Sequence, residues 1–213
     1  QGGYNSADIL VRSALRIIDT EPDYVIIYHA YNDIKSYLTE DFVSDYSHSR
    51  KNLADSYWKF YLSNFLPEIP LNFYNYLKNK FLPGSNIRHS LLNVIGKGKF
   101  NINTDYSKGL NTYERNMKSI ISLYKSINTK IILCTYSLYL YDEIKNNKLH
   151  KLYDEIVKKE NEIIRGLAKK LQTEIVDADL LIEKNKENFV DSVHYSKHGM
   201  SLLAKEISKK INL

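Results

Sequence analysis

Apolar positions along the chain fall into two alternating patterns. After "GGYNSAD", Ile9, Leu10, Ala14, Ile17 and Ile18 recur at helical spacing, and Asn5 or Ser6 stands where a cap is needed. Pro22 and Asp23 interrupt that periodicity. The run "YVIIYHA" that follows is short and rich in β-branched and aromatic residues, as a parallel strand covered on both faces requires. Met117, Ile120, Ile121 and Tyr124 mark one face of a further helix, with Asn111 or Thr112 as its cap, and "KIILCTY" reads as the next buried strand. Leu152, Ile156, Ile163, Ile164, Leu167 and Leu171 trace a long helix, and "EIVDA" is a short strand. Met200, Leu203, Ala204, Ile207 and Ile211 form the apolar face of a final amphipathic helix. Regular alternation of helix and strand predicts an α/β fold with a parallel sheet.

One stretch breaks the alternation. Residues 39–109 are dense in aromatics ("SYWKFYLSNF", "LNFYNYLKNKF") and punctuated by Pro67, Pro70, Pro83 and Gly84. They read as a partly helical insertion in one domain spanning 1–213, a length that buries a single sizeable core. The insertion has three readings: extra core, a lid over a pocket, or an amphipathic membrane-contacting element. Extra core is preferred and the lid comes second.

Charge and cysteine content narrow the field. Basic residues exceed acidic ones by five and are scattered among them, which describes a solvated surface and not a nucleic-acid footprint. The single cysteine, Cys134, lies in an apolar run and reads as a small buried hydrophobe. No apolar run approaches a membrane span and no signal peptide is visible. The chain opens on Gln1 in what reads as mid-domain, so the compartment, secreted, periplasmic or cytoplasmic, stays open.

Three short segments fall at or just beyond the ends of predicted strands, where open α/β sheets hold their ligands. They carry Gly3, Asn32, and Asp191 with His194. An imidazole is the side chain best poised to take a proton at neutral pH, which makes His194 a candidate general base. Asp191, three residues earlier, is placed to hold one tautomer of that ring. The Asn32 amide and the Gly3 backbone N–H are candidate oxyanion donors, the glycine allowing close approach of substrate. Plainer readings stand beside these. A lone histidine is more often a cap or a surface residue, and Asn-Asp often just shapes a turn. His194 and His198 have a zinc-compatible spacing, but neither a His-Glu-x-x-His pattern nor a third ligand accompanies them, so no metal or cofactor is expected. Tyr28 is expected to pack in its strand, and His48 and Arg50 to be solvated loop residues.

The segments "GGYNS", "YVIIYHAYND" and "DSVHYSKHGMSLLAKEI" resemble, in order, the second, third and fifth sequence blocks of the SGNH/GDSL hydrolases. That resemblance implies a flavodoxin-like three-layer sandwich and a Ser-His-Asp triad. Gly3 and Asn32 would match the oxyanion-hole glycine and asparagine, and Asp191 and His194 the Asp-x-x-His pair. Ala30 stands where the third block usually has glycine. The first block, with its Gly-Asp-Ser and the strand before it, has no counterpart here. The first strand and the nucleophile are therefore expected to lie upstream of Gln1, leaving residues 1–213 inactive alone. Ser6, Ser137 and Ser196 are the serines nearest the motifs, and none sits in a Gly-Asp-Ser turn.

The resulting expectation is an ester hydrolase acting on a lipid, glycan or small ester. The rival is a non-catalytic binding module or pseudoenzyme on the same fold.

Overall fold

The computed structural model describes residues 4–46, 48, 100–142 and 144–211. Helix α1 (Ser6–Arg12) begins at Asn5, whose side-chain oxygen accepts the Asp8 N–H while the Asp8 carboxylate accepts the Asn5 N–H. This reciprocal cap satisfies two donors that a helix start leaves open. The helix loosens into a π-turn (Ser13–Ile17) and a 3-10 turn (Ile18–Thr20), closed by Glu21 in the left-handed region at φ 43°. Strand β1 (Tyr24–Tyr28), a 3-10 turn (Tyr31–Asp33) and the short helix α2 (Ile34–Tyr37) follow.

Helix α3 spans Ser107–Ser126 and so starts ahead of the caps expected at Asn111 or Thr112. The Asp105 carboxylate accepts both the N–H and the hydroxyl of Ser107, which sets the earlier start. Thr112 instead bonds back to the Lys108 carbonyl inside the helix. Next come β2 (Lys130–Cys134), α4 (Lys148–Leu171), β3 (Glu174–Val176), α5 (Ala178–Leu181) and α6 (Lys197–Ser208). Asn147 caps α4 and Ser196 caps α6 through their side-chain oxygens.

The three strands form a parallel sheet in the order β1-β2-β3, with Tyr24 opposite Lys130, Tyr28 opposite Cys134, and Cys134 opposite Val176. β2 pairs directly on both sides, so the described sheet has no internal gap and a further strand can join only at an outer edge. On β1, Ile26 is 45% exposed.

Side chains alternate across a strand, so β2 serves two layers. Ile132 and Cys134 join Val176, Ala178, Phe189 and Leu203 of α6 in one cluster. Ile131 and Leu133 are buried on the opposite face, where α3 and α4 pack on β2 and on each other. This is the α/β three-layer arrangement. α6 differs in detail from its expected face: Met200 is 52% exposed and Ala204 is also exposed, while Leu202 and Leu203 turn inward with Ile207 and Ile211. At the start of this helix the Ser196 hydroxyl accepts the Gly199 N–H at 3.1 Å. Among the described residues no helix is long and apolar enough to cross a membrane.

Two units are distinguished along the chain, residues 1–37 with 105–213, and residues 38–104. In the second, Thr39 and Phe100 form an antiparallel bridge, and the Asn101 N–H donates to the Leu38 carbonyl. His48 is buried there against Phe42 and Tyr46, and its Nδ1 accepts the Val43 N–H at 3.1 Å. It is a packed residue and not a solvated one. Arg50 and most of the aromatic insertion at 39–109 lie outside the described residues.

Candidate active site

β1 ends at Tyr28, and the chain turns sharply through His29–Asp33. Tyr113 of α3 donates its hydroxyl to the His29 carbonyl at 2.6 Å, stopping the strand ladder at that point. Asp33 is fully buried. Its carboxylate accepts the Ser6 N–H at 2.9 Å, the Ser6 hydroxyl at 2.5 Å, and pairs with His29 Nε2 at 2.5 Å. Asn116 of α3 donates to the Ser6 hydroxyl at 2.9 Å and extends the network. A buried carboxylate needs such partners, and here they lock the start of α1 to the turn after β1. Ala30, in place of glycine, sits in this turn at φ −163° and ψ −114°.

Asn32 projects from the turn and is exposed. Its amide donates to the Tyr4 carbonyl at 3.1 Å. An amide carries two N–H groups, so one remains for another acceptor. Tyr4 directly follows Gly3, the other candidate donor, which lies outside the described residues.

The loop carrying Asp191 and His194 is a tight reversal. Phe189 and Tyr195 form an antiparallel bridge, and the Val190 N–H donates to the His194 carbonyl at 2.9 Å. Asp191 organises its interior: Oδ1 accepts the Val193 and His194 N–H groups, each at 2.8 Å, and Oδ2 meets His194 Nδ1 at 2.8 Å. Partial burial pushes the Asp191 carboxyl up, but the hydrogen bonds from the His194 ring and the two N–H groups outweigh it and hold it below the ordinary carboxylate range. An ionised carboxylate only accepts, so Nδ1 carries the proton and Nε2 of the neutral ring keeps a free lone pair. His194 is 71% exposed and Asp191 48% exposed, so the pair opens to solvent.

Aromatic residues connect this loop to the Asn32 turn. Tyr136, just past the end of β2, stacks on Tyr28 at 4.9 Å and on Tyr31 at 6.4 Å, and donates its hydroxyl to the Val193 carbonyl at 3.0 Å. The Tyr139 N–H donates to the Ser192 carbonyl at 2.9 Å. Tyr28 is thus a packed strand aromatic, as expected. The structure brings Asp191 and His194 into direct contact, and it joins them to Asn32 through Tyr31 and Tyr136.

The remaining candidates have other partners. Ser6 is tied to Asp33, Ser137 is buried and donates to the Ala178 carbonyl, and Ser196 donates to the Glu187 carbonyl while capping α6. His194 precedes α6, whereas His198 lies within it and faces Glu187 at 3.7 Å, so the two histidines do not share a helix face. Burial pushes the Cys134 thiol up to about 12, which removes it as a nucleophile. A cavity of about 310 Å³ lined by Tyr24, Lys125, Lys130, Glu174 and Lys210 lies at the opposite end, where the strands begin. Its lysines are engaged by the Leu171 carbonyl, Tyr24 and Glu174.

Sequence reasoning missed Tyr136, Asn161, Glu160 and the Asp33 network. For Glu160 and Asn161 a signal existed. They stand four residues after Ile156 and Val157 on the inward face of α4, where polar residues are exceptional.

Comparison with known proteins follows the same lines. The model of the GDSL-like lipase/acylhydrolase family matches residues 88–207, more than half of the chain, a range that includes Asp191 and His194 but not Asn32. No curated protein matches the sequence. Among solved structures, an acetyl xylan esterase is similar with a TM-score of 0.57 at 15% identity, covering 100% of this chain and 78% of that one. A GDSL-like lipase from Bacteroides thetaiotaomicron has a TM-score of 0.54 at 14% identity, covering 98% and 71%. A catalytic mutant of an acetylxylan esterase from Geobacillus stearothermophilus has a TM-score of 0.53 at 16% identity, covering 99% and 69%. These likenesses establish the fold. The family match goes further: the chain belongs to the GDSL-like lipase/acylhydrolase family, serine esterases of the SGNH/GDSL type.

Proposed function

We propose that the protein hydrolyses an acyl or acetyl ester through a Ser-His-Asp triad whose serine is supplied from upstream of Gln1. The observation that carries this reading is the 2.8 Å bond between Asp191 Oδ2 and His194 Nδ1, with Nε2 open among the described residues. His194 Nε2 takes the serine proton as the serine oxygen attacks the ester carbonyl. The free N–H of Asn32, with the Gly3 N–H, stabilises the oxyanion that forms. The proton then passes to the departing alcohol, and water, activated in the same way, releases the acid from the acyl-serine. Asp191 stays ionised and holds the ring throughout.

Two of the similar structures are acetyl xylan esterases, which favours a short acyl group on a carbohydrate over a long-chain lipid ester as substrate. The hydroxyl commitments of Ser6, Ser137 and Ser196 support an external nucleophile.

A fluorophosphonate probe tests the reading. The longer protein, extended upstream of Gln1, should be labelled at a Gly-Asp-Ser serine, and His194→Ala should abolish labelling. Residues 1–213 alone should stay unlabelled. An upstream sequence with no such serine, or labelling indifferent to His194, would leave the non-catalytic binding module in its place.

A further inference from the structure

Helix α4 carries two adjacent polar residues in its buried face, Glu160 at 0% and Asn161 at 1% exposure. Polar side chains at such depth persist when their bonds organise something else. Asn161 brackets the backbone of Tyr136. Its Oδ1 accepts the Tyr136 N–H at 2.7 Å and its Nδ2 donates to the Tyr136 carbonyl at 2.8 Å. Tyr136 in turn donates its hydroxyl to Val193, next to His194. Glu160 accepts the Tyr37 hydroxyl at 2.8 Å, and Tyr37 ends the helix that continues directly from the Asn32–Asp33 turn. Burial pushes the Glu160 carboxyl well above the ordinary range, the neighbouring Asp33 charge adds to this, and the Tyr37 hydrogen bond opposes it. Its Oε2 has no hydrogen-bond partner among the described residues. A carboxyl kept under those conditions is held for its position.

We infer that Glu160 and Asn161 form one positioning element that registers the two halves of the site, Asn161 setting the His194 loop through Tyr136 and Glu160 setting the Asn32 turn through Tyr37. Neither touches a reacting atom. Both act from one turn of one helix, so the spacing between base and oxyanion donor follows from α4 and not from the loops. The inference rests on the functional reading above, and its test separates the two.

Tyr136→Phe and Tyr37→Phe each delete one hydroxyl and keep the ring packing, so both variants should fold. In residues 1–213 labelled with 15N, Tyr136→Phe should shift the His194 ring resonances and speed exchange of its Nδ1 proton, leaving the Asn32 side-chain amide signals in place. Tyr37→Phe should do the reverse. In the longer protein, with 4-nitrophenyl acetate as substrate, each variant should lower kcat by roughly ten- to a hundredfold with KM unchanged, because small misplacement of a catalytic group acts on that scale. Resonances and kcat that stay at wild-type values would overturn the inference, as would a fall in kcat with the His194 and Asn32 signals unmoved. Esterase activity that survives His194→Ala would sink the functional reading instead, while the spectra still decide the positioning role.

Discussion

The Asp33 carboxylate accepts both the backbone N–H and the hydroxyl of Ser6, a residue 27 positions earlier, with no part of Asp33 exposed. This bond joins two of the segments singled out in the sequence, the start of α1 and the turn that presents Asn32. Asp33→Ala would strand the Ser6 N–H and the His29 ring. It should cost about 3 kcal/mol, the upper end of the scale for leaving buried hydrogen-bonding groups without their partner. Urea unfolding of the variant measures this, and a loss under about 1 kcal/mol, the net value of an ordinary hydrogen bond, would show that water replaces the carboxylate.

Glu160 gives a pH dependence of opposite sign to the usual carboxylate. Its folded-state pKa is raised above the ordinary glutamate value of 4.5, so its contribution is fully favourable below that pH and is lost as pH rises through the folded value. Glu160→Gln should therefore raise the melting temperature at neutral pH, and the gain should vanish as pH falls toward 4.5. Melting curves at several pH values check the sign. A variant equally stabilised at all pH values would deny the titration.

Asp191 behaves in the ordinary direction. Its pKa is lowered, so its contribution to stability is present above the unfolded-state value and is lost as pH falls through the folded one. With the pair half open to solvent and screened, that contribution should stay below about 1 kcal/mol. Asp191→Asn should thus melt near wild type while lowering kcat of the longer protein by about 10⁴-fold, the scale of a lost ring tautomer. Melting together with single-turnover kinetics separates the two effects.

Gly199 offers a test of α6. A Cβ there would run into the Asn188 backbone carbonyl and the Tyr195 ring. Alanine normally favours a helix interior by about 1 kcal/mol over glycine. Gly199→Ala should nevertheless destabilise by about 1–3 kcal/mol, because a backbone atom gives way poorly to overpacking. Differential scanning calorimetry reads the sign directly.

The alternating elements, the parallel sheet and the Asp191–His194 pair were legible in the order of residues. Each depends on local periodicity or on a short spacing: inward faces repeat along helices, buried strands are continuous apolar runs, and an aspartate three residues before a histidine can bend back onto its ring. The cap at Asn5 belongs to the same class, since a helix start is completed within one turn.

Other features needed partners distant in the chain. Asp33 finds Ser6, Tyr136 finds Val193 and Asn161, and Tyr37 finds Glu160 at a separation of 123 positions. No periodicity announces such pairs, because burial of a polar atom is settled only when the layers close and water is excluded from it. The identity of the histidine and its aspartate was written in a short stretch of sequence. Their link to Asn32 runs through Tyr136 and Tyr31, contacts that only the folded chain makes.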